Sequence, residues 1–230
     1  MTAVLAQSGR PFPDWEWLAN PRNVDRIRDA FFQHIELTVL AVLIGLVIAA
    51  PLAIAAVRWR RLYKPLLTFT GVLFTIPSLA LFVLLLAFLN TGLGRTTSLI
   101  GLVIYTLLIL FRNTAVGLDG VDPEVREAAE AMGHTRRQQL VRIELPVALP
   151  VIIAGIRIAT VTTIGLVTVT ALIGQGGLGQ LFLQGFQRRN ATTLLVGFVL
   201  SVVLAVLADL ALVGVERVAT PWSRARVRSQ

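Results

Sequence analysis

Cysteine is absent from the 230 residues, and histidine occurs only at His34 and His134. Without cysteine the chain has no disulfide, no thiolate metal ligand and no cysteine nucleophile, and two histidines far apart in sequence do not make a histidine-based metal cluster. Charge is scarce as well: 15% of the residues are charged and 55% are hydrophobic, whereas soluble domains carry about 25% charged residues. We therefore expect a lipid bilayer to be the solvent for most of the chain.

The net charge of +8 has a simpler explanation than a nucleic-acid partner. In membrane proteins lysine and arginine collect in cytoplasmic loops and fix the orientation of the chain. We therefore expect no nucleic-acid binding, and we expect the bilayer itself to be a partner.

The uncharged stretches predict an all-α polytopic transmembrane helical bundle of about five spans, since a span needs about 20 mainly apolar residues. Pro77 is expected to kink the second span. The third is short and is expected to continue past Arg112, whose side chain can reach the interface. The predicted spans are 38–57, a stretch within 65–91, 96–111, 147–172 and 191–215.

The basic residues predict the topology. Four lie in the turn 58–64, five in the loop 112–146 and four in the tail 217–230, against three in the remaining loops. This asymmetry predicts a multi-pass protein of the cell (cytoplasmic) membrane, with its N-terminus outside and its C-terminus in the cytoplasm.

Three regions follow from this topology: an extracytoplasmic or interfacial segment 1–33, a transmembrane domain 34–218 whose cytoplasmic loop covers 118–146, and a basic tail 219–230. The first segment has two interpretations. Asn23 and 24–33 form a capped amphipathic helix on the membrane surface, or the segment is a partly ordered tail with an aromatic anchor.

The long loop contains two helix starts. Asp122 is a favourable N-cap with Pro123 at the first helical position, and Gly133 is suited to a left-handed C-cap. Thr135 and Gln138 form a capping box for a second helix, expected to run to about Glu144 and to stop before Pro146. The first helix has one apolar face, made of Val125, Ala128, Ala129 and Met132. Such a helix either lies back on the bundle or inserts into a partner protein.

At this loop the sequence resembles a known family. Glu127-Ala128-Ala129, Gly133, Ile143 and Leu145-Pro146 match the EAA loop of ATP-binding cassette (ABC) importer permeases at every signature position. Four further segments resemble the permeases for quaternary ammonium osmoprotectants such as glycine betaine, choline and carnitine. They are 76–82, 112–114, 121–123 and 176–179, and the similarity covers roughly residues 35–215.

The resemblance implies the fold of the type I importers and a division of labour among subunits. The chain lacks the phosphate-binding motif GxxxxGK[ST], so ATP and magnesium are expected on a partner ATPase, and this chain is expected to hold no cofactor and to be no enzyme. A second permease copy or a paralogue and a separate extracytoplasmic substrate-binding protein are the other implied partners. The residues expected to couple to the ATPase are Glu127, Ala128, Ala129, Met132, Gly133, Ile143, Leu145 and Pro146.

Two charges inside the spans have two interpretations. Arg157 and Asp209 are costly in hydrocarbon unless they are paired or solvated. They either form a structural ion pair or reach the interface, or they line a translocation path together with Ser78, Phe82 and Tyr105. Aromatic rings attract a quaternary ammonium group through cation–π interactions, although most aromatic residues in spans simply pack.

Three rival functions remain open at this point. A membrane enzyme needs a cluster of histidines or carboxylates within the spans, which the sequence does not supply. A channel or secondary transporter would explain the spans and their charges but not the loop. An ABC permease for amino acids would use the same loop with a different substrate.

Overall fold

The computed structural model describes residues 12–89 and 92–222, and this part of the chain contains helices and no strand. The predicted tail beyond Trp222, the first eleven residues and positions 90 and 91 lie outside it. The helices are α1 (Trp15–Ala19), α2 (Pro21–Arg58), α3 (Arg60–Thr75), α4 (Ser78–Leu89), α5 (Arg95–Asp119), α6 (Pro123–Ala131), α7 (Arg136–Gln139), α8 (Leu145–Val169), α9 (Gly179–Gln187) and α10 (Ala191–Ala219).

Four continuous helical segments are long and apolar enough to cross a membrane: Pro21–Arg58, Arg95–Asp119, Arg136–Ile173 and Ala191–Ala219. The second predicted span is a pair of helices, α3 and α4, bent by 96°. The kink expected at Pro77 is therefore a complete break. Proline has no N–H to donate and disfavours helical backbone at the preceding residue, Ile76. With the bent pair counted as one span, the structure agrees with the predicted bundle of about five.

Both interpretations of the N-terminal segment need correction for residues 12–33, the part of it that the structure describes. Residues 24–33 are helical, but they are the first turns of the 38-residue helix α2 and not a separate surface helix or a loose tail. The cap is Asn20, whose side-chain oxygen accepts the N–H of Arg22 at 3.0 Å, with Pro21 as the first helical residue. No glycine or proline lies between Pro21 and Gly45 to end the helix, so it runs across the boundary expected at residue 33.

The third span continues past Arg112, as expected. Helix α5 ends at Asp119, and the exposed Arg112 lies within it. The helix ends where Gly120 and Val121 lead into the loop, and Asp119 pairs there with Arg60 at 2.6 Å.

The chain forms two compact units. The first comprises Met1–Val42, Ile76–Val103 and Thr160–Leu207. Within its described part, Leu37, Phe82, Leu102, Leu178 and Leu181 are almost fully buried. Phe82 packs beneath Gly101, where a β-carbon would collide with its ring.

The second unit comprises Leu43–Thr75, Ile104–Ala159 and Ala208–Gln230. Its main cluster is made of small residues, because Ala49, Ala53 and Ala56 recur on one face of α2 and pack with Phe111. Small side chains let helices approach closely, which strengthens van der Waals packing in a solvent that offers no hydrophobic driving force between helices.

One close approach in the second unit yields a stability prediction. A β-carbon on Gly155 of α8 would collide with the β-carbon of Asn113, whose side chain is fixed by a 2.8 Å hydrogen bond from Nδ2 to the Ile109 carbonyl. We expect Gly155→Ala to lower the free energy of unfolding by about 1–3 kcal/mol through overpacking. The measurement is the melting temperature of the purified protein in detergent.

Gly214→Ala is the matched control, because, apart from its chain neighbours and the backbone of its own helix, no atom lies within 4 Å of the position of its β-carbon. It adds the same methyl group to a helix interior and is expected to leave the melting temperature unchanged or slightly higher. Equal melting temperatures for the two variants would contradict the assigned packing of α5 on α8.

Candidate functional site

The first loop helix, α6, is closed at both ends by local interactions. The Asp122 carboxylate accepts the N–H of Glu124 at 2.9 Å, and Pro123 begins the helix. At the other end Gly133 has φ +79°, and the N–H of His134 donates to the Ala129 carbonyl at 3.1 Å. Both expected caps are therefore confirmed.

The second helix start is also confirmed, but its end is not where we expected it. The Thr135 N–H donates to Gln138 Oε1 at 2.8 Å and the Gln138 N–H returns to Thr135 Oγ1 at 3.4 Å. Helix α7 then continues without a stop through a π-helical turn, Leu140–Glu144, into the fourth span. The prediction of a break before Pro146 was wrong.

The π turn explains how a proline follows a helical segment without ending it. The Leu145 N–H donates to the Leu140 carbonyl, five residues back, which widens the turn by one residue. Pro146 stands immediately after this wider turn, at the beginning of α8, where its missing N–H is tolerated. Ile143, Leu145 and Pro146 are all half-buried, and Leu145 packs on a cluster of Leu118, Ala148 and Ile152.

The apolar face of α6 is divided between two environments. Ala129 is fully buried against the rest of the chain, whereas Ala128 is exposed and Met132 is 67% exposed. Val125 and Glu127 are exposed as well. Ala129 therefore packs the helix against the rest of the chain, and an exposed apolar strip of Val125, Ala128 and Met132, flanked by carboxylates, remains uncovered.

Arg126 holds α6 to the helices on either side of it, a role that the sequence analysis missed. Its Nη2 donates to the Leu118 carbonyl at 2.7 Å, and its Nε lies 3.2 Å from the Glu144 carboxylate. The buried Gln139 donates to the Arg126 carbonyl at 3.4 Å. The only sequence signal was the position of Arg126 beside Glu127 in a helix expected to be amphipathic. The end of α5, the loop helix and the start of the fourth span are thus connected through one residue.

The two span charges form the pair expected from their cost in hydrocarbon. Arg157 Nε and Nη2 donate to the two carboxylate oxygens of Asp209 at 2.9 and 3.0 Å, a bidentate arrangement. Arg157 Nη1 also donates to Glu216 at 3.3 Å. Glu216 was not among the predicted residues, because the predicted span ended at residue 215. This ion cluster of Arg157, Asp209 and Glu216 carries one negative charge in excess.

The remaining path candidates lie in α4 and α5. Ser78 is the first residue of α4 and is half-buried, and Phe82 is fully buried in this conformation. Tyr105 is 5% exposed and makes an edge-to-face contact with Phe74, the ring centroids being 5.7 Å apart. A role in a translocation path remains a prediction for these residues and for Arg157 and Asp209.

The glycine-rich segment 174–179 is a tightly packed turn of the first unit. His34 is fully buried; its Nε2 lies 3.0 Å from the Ile164 carbonyl, and the Leu178 N–H donates to Nδ1 at 3.3 Å. Gln33 accepts the N–H of Gly177 at 2.9 Å. Gly177 has φ +50° and leaves no room for a β-carbon beside His34. Helix α2 therefore fixes this turn, and nothing in the sequence pattern had connected the two.

The ion cluster predicts the outcome of a charge exchange. Arg157→Asp would place three carboxylates together, and Asp209→Arg would place two guanidinium groups beside one carboxylate. We expect each single variant to lower the melting temperature and the monodisperse yield in detergent, because unpaired charges are costly in a membrane. The double variant, in which the two residues are exchanged, should recover much of the melting temperature and of the monodisperse yield. A double variant with values as low as those of the single variants would argue against the pair.

Comparison with known proteins places the chain among transport proteins. Residues 32–219 match the family described as binding-protein-dependent transport system inner membrane component. The osmoprotectant import permease protein OsmW of Salmonella typhimurium is 38% identical over 202 residues, which cover 86% of this chain and 94% of that protein. The glycine betaine/carnitine/choline transport system permease protein OpuCD of Bacillus subtilis is 36% identical over 201 residues, 87% of each chain.

A solved structure supports the architecture. The MetNI methionine ABC transporter in an inward-facing conformation aligns with a TM-score of 0.80, covering 87% of this chain and 99% of that one at 23% identity. At this identity the likeness establishes the fold, that of an ABC importer permease, and the loop with its two capped helices lies within the matched region of the family. The chain therefore belongs to the family of inner membrane components of binding-protein-dependent transport systems.

Proposed function

We propose that this chain is the membrane subunit of an ABC importer for osmoprotectants and that the loop 118–146 docks on the ATPase subunit. The observation that carries the proposal is the surface of α6. Its exposed strip of Val125, Ala128 and Met132 is apolar and narrow, and apolar residues at positions i, i+3 and i+7 are the anchors by which a helix inserts into a groove of a partner. A groove on a partner protein provides the cover that this strip lacks.

The contacts of Arg126 suggest how a movement of α6 reaches the membrane. Arg126 pairs with Glu144, and Glu144 belongs to a helical segment that is continuous from Arg136 to Ile173. When ATP binding draws the docked loop inward, this segment moves with it, so that the fourth span changes its tilt. The residues at 127–129 and 133 thus transmit force and take no part in bond chemistry.

The proposed orientation follows from charge and sets the other partners. Arg58, Arg60, Arg61 and Lys64 share one side of the membrane with the loop and the C-terminus, and the N-terminus lies outside. A substrate-binding protein then delivers substrate at the outer face, and a second permease, either a copy of this chain or a paralogue, completes the path.

The proposed substrate class comes from the relatives, whose names include osmoprotectant, glycine betaine, carnitine and choline. Compounds of this class carry a quaternary ammonium group, which binds the faces of aromatic rings at roughly 1–2 kcal/mol per ring. The contacting rings Tyr105 and Phe74 are candidates for such an interaction, as is the ring of Phe82 in α4. Ser78, the first residue of α4, is a further candidate for lining the path.

Gly133→Val tests the coupling role. Valine disfavours φ +79°, which a β-branched residue rarely adopts, so the turn between α6 and α7 should reorganise while the spans remain inserted. We expect ATP hydrolysis by the co-purified ATPase to continue and uptake into proteoliposomes to fall at least about tenfold, equivalent to a coupling loss of roughly 1.4 kcal/mol.

Gly133→Asn is the control, because asparagine tolerates left-handed backbone better than other residues with a β-carbon. It should retain a large part of the uptake. Normal uptake by Gly133→Val, with normal insertion, would contradict the assignment of the loop.

The substrate class has its own test. Proteoliposomes containing the complex and its binding protein should accumulate radiolabelled glycine betaine or choline when ATP is supplied. An excess of unlabelled carnitine should compete, because it carries the same quaternary ammonium group, and methionine should not. Competition by methionine alone would favour an amino acid permease and would leave the coupling role of the loop intact.

A further inference from the structure

A groove of about 500 Å³ lies beside the loop, on the side of α6 away from its exposed strip. One wall is apolar and consists of Ile54 and Val57 of α2, Leu118 of α5 and Leu140 of the π turn. These residues lie near the ends of three helices that are long and apolar enough to cross a membrane, which places the wall beside the edge of the hydrocarbon layer that these helices would cross. None of Val125, Ala128 and Met132 lines the groove.

The rim of the same groove is basic. The guanidinium groups of Arg58, Arg136 and Arg137 line it, and within the described part of the chain none of these three groups has a hydrogen-bond or ion-pair partner. The other lining charges are Arg126 and Glu144, which neutralise each other at 3.2 Å, and Glu130, an exposed carboxylate. Three free guanidinium groups against one free carboxylate leave two positive charges in excess.

Trp59 indicates the depth at which the groove lies in the membrane. It lines the groove, is 62% exposed and follows the last residue of α2. Tryptophan prefers the level of the lipid headgroups, where its ring meets the hydrocarbon edge and its N–H meets water. The groove therefore opens at the headgroup level, with its apolar wall towards the acyl chains and its arginines towards the aqueous side.

We propose that this groove binds an anionic phospholipid of the leaflet on the loop side of the membrane. The arginines Arg58, Arg136 and Arg137 receive the phosphate, whose negative charge no cation of the headgroup neutralises, since guanidinium groups bind phosphate oxygens in a bidentate manner. The apolar wall receives the first methylene groups of the acyl chains. A soluble phosphate would leave that wall uncovered, and a zwitterionic lipid would leave the charge excess uncompensated.

The bound lipid would connect the end of α2 to the loop, and it leaves the exposed strip of α6 free for the ATPase. The proposal requires only that the chain spans a bilayer. It therefore stands or fails separately from the assignment of the ATPase-docking loop and of the substrate.

The test compares lipids on the purified complex in detergent. Native mass spectrometry and melting temperatures are recorded with phosphatidylglycerol, phosphatidylcholine or inorganic phosphate. We expect phosphatidylglycerol to be retained and to raise the melting temperature more than phosphatidylcholine does, with no rise for inorganic phosphate. In the triple variant Arg58→Gln/Arg136→Gln/Arg137→Gln the apparent affinity for phosphatidylglycerol should fall at least about tenfold, since each basic residue near an anionic surface contributes roughly fivefold.

The matched control removes three charges elsewhere: Arg142→Gln/Arg188→Gln/Arg189→Gln, at exposed arginines that do not line the groove. It should keep the preference for phosphatidylglycerol, as should Arg58→Lys/Arg136→Lys/Arg137→Lys, which keeps the charges and guards against a folding defect in the glutamine variant. Equal loss of the preference in the control, equal binding of the two lipids, or an equal effect of inorganic phosphate would each overturn the proposal.

Discussion

The hydrocarbon interior of a bilayer offers no hydrogen-bond partner, and most features of this chain follow from that constraint. Every backbone polar group in a span must be satisfied within the protein, so the described spans are helices. The same constraint accounts for the bidentate partner of Arg157 and for the two backbone partners of the buried His34. Two prolines coincide with a change in the helix: the chain breaks at Pro77 and forms a wider turn before Pro146. Helices α2 and α8 continue through Pro51 and Pro150.

The loop between the third and fourth spans is less completely packed than the spans, because water can bind its polar groups and a partner protein can cover its exposed apolar residues. The loop helix is seated by the single buried residue Ala129 and by the contacts of Arg126, and its remaining apolar residues are exposed. The helix is therefore attached to the rest of the chain on the side of Ala129 and Arg126, and its opposite side is an exposed apolar surface. This combination suits an element that receives a force from another subunit and transmits it to a spanning helix.

Local signals in the sequence predicted the parts of the structure that depend on local chemistry. The caps at Asp122, Gly133 and Thr135 were predictable because a cap is formed by residues a few positions apart. The continuation of the helix through Pro146 was not, because a π turn depends on how the flanking helices pack. The contacts of Arg126 with Glu144 and of His34 with Leu178 join residues distant in sequence, and no periodic pattern indicates them.

The most direct test of the docking role uses the absence of cysteine, which makes every introduced cysteine a unique probe. Met132→Cys places a thiol on the exposed strip of α6, and Leu93→Cys places one at a position 72% exposed next to the start of α5, outside the loop. A short bifunctional crosslinker should join the Met132→Cys chain to the ATPase in the assembled transporter and should leave the Leu93→Cys chain unlinked. Crosslinking through residue 93 alone, or no crosslinking at residue 132 in a complex that retains its ATPase, would contradict the account.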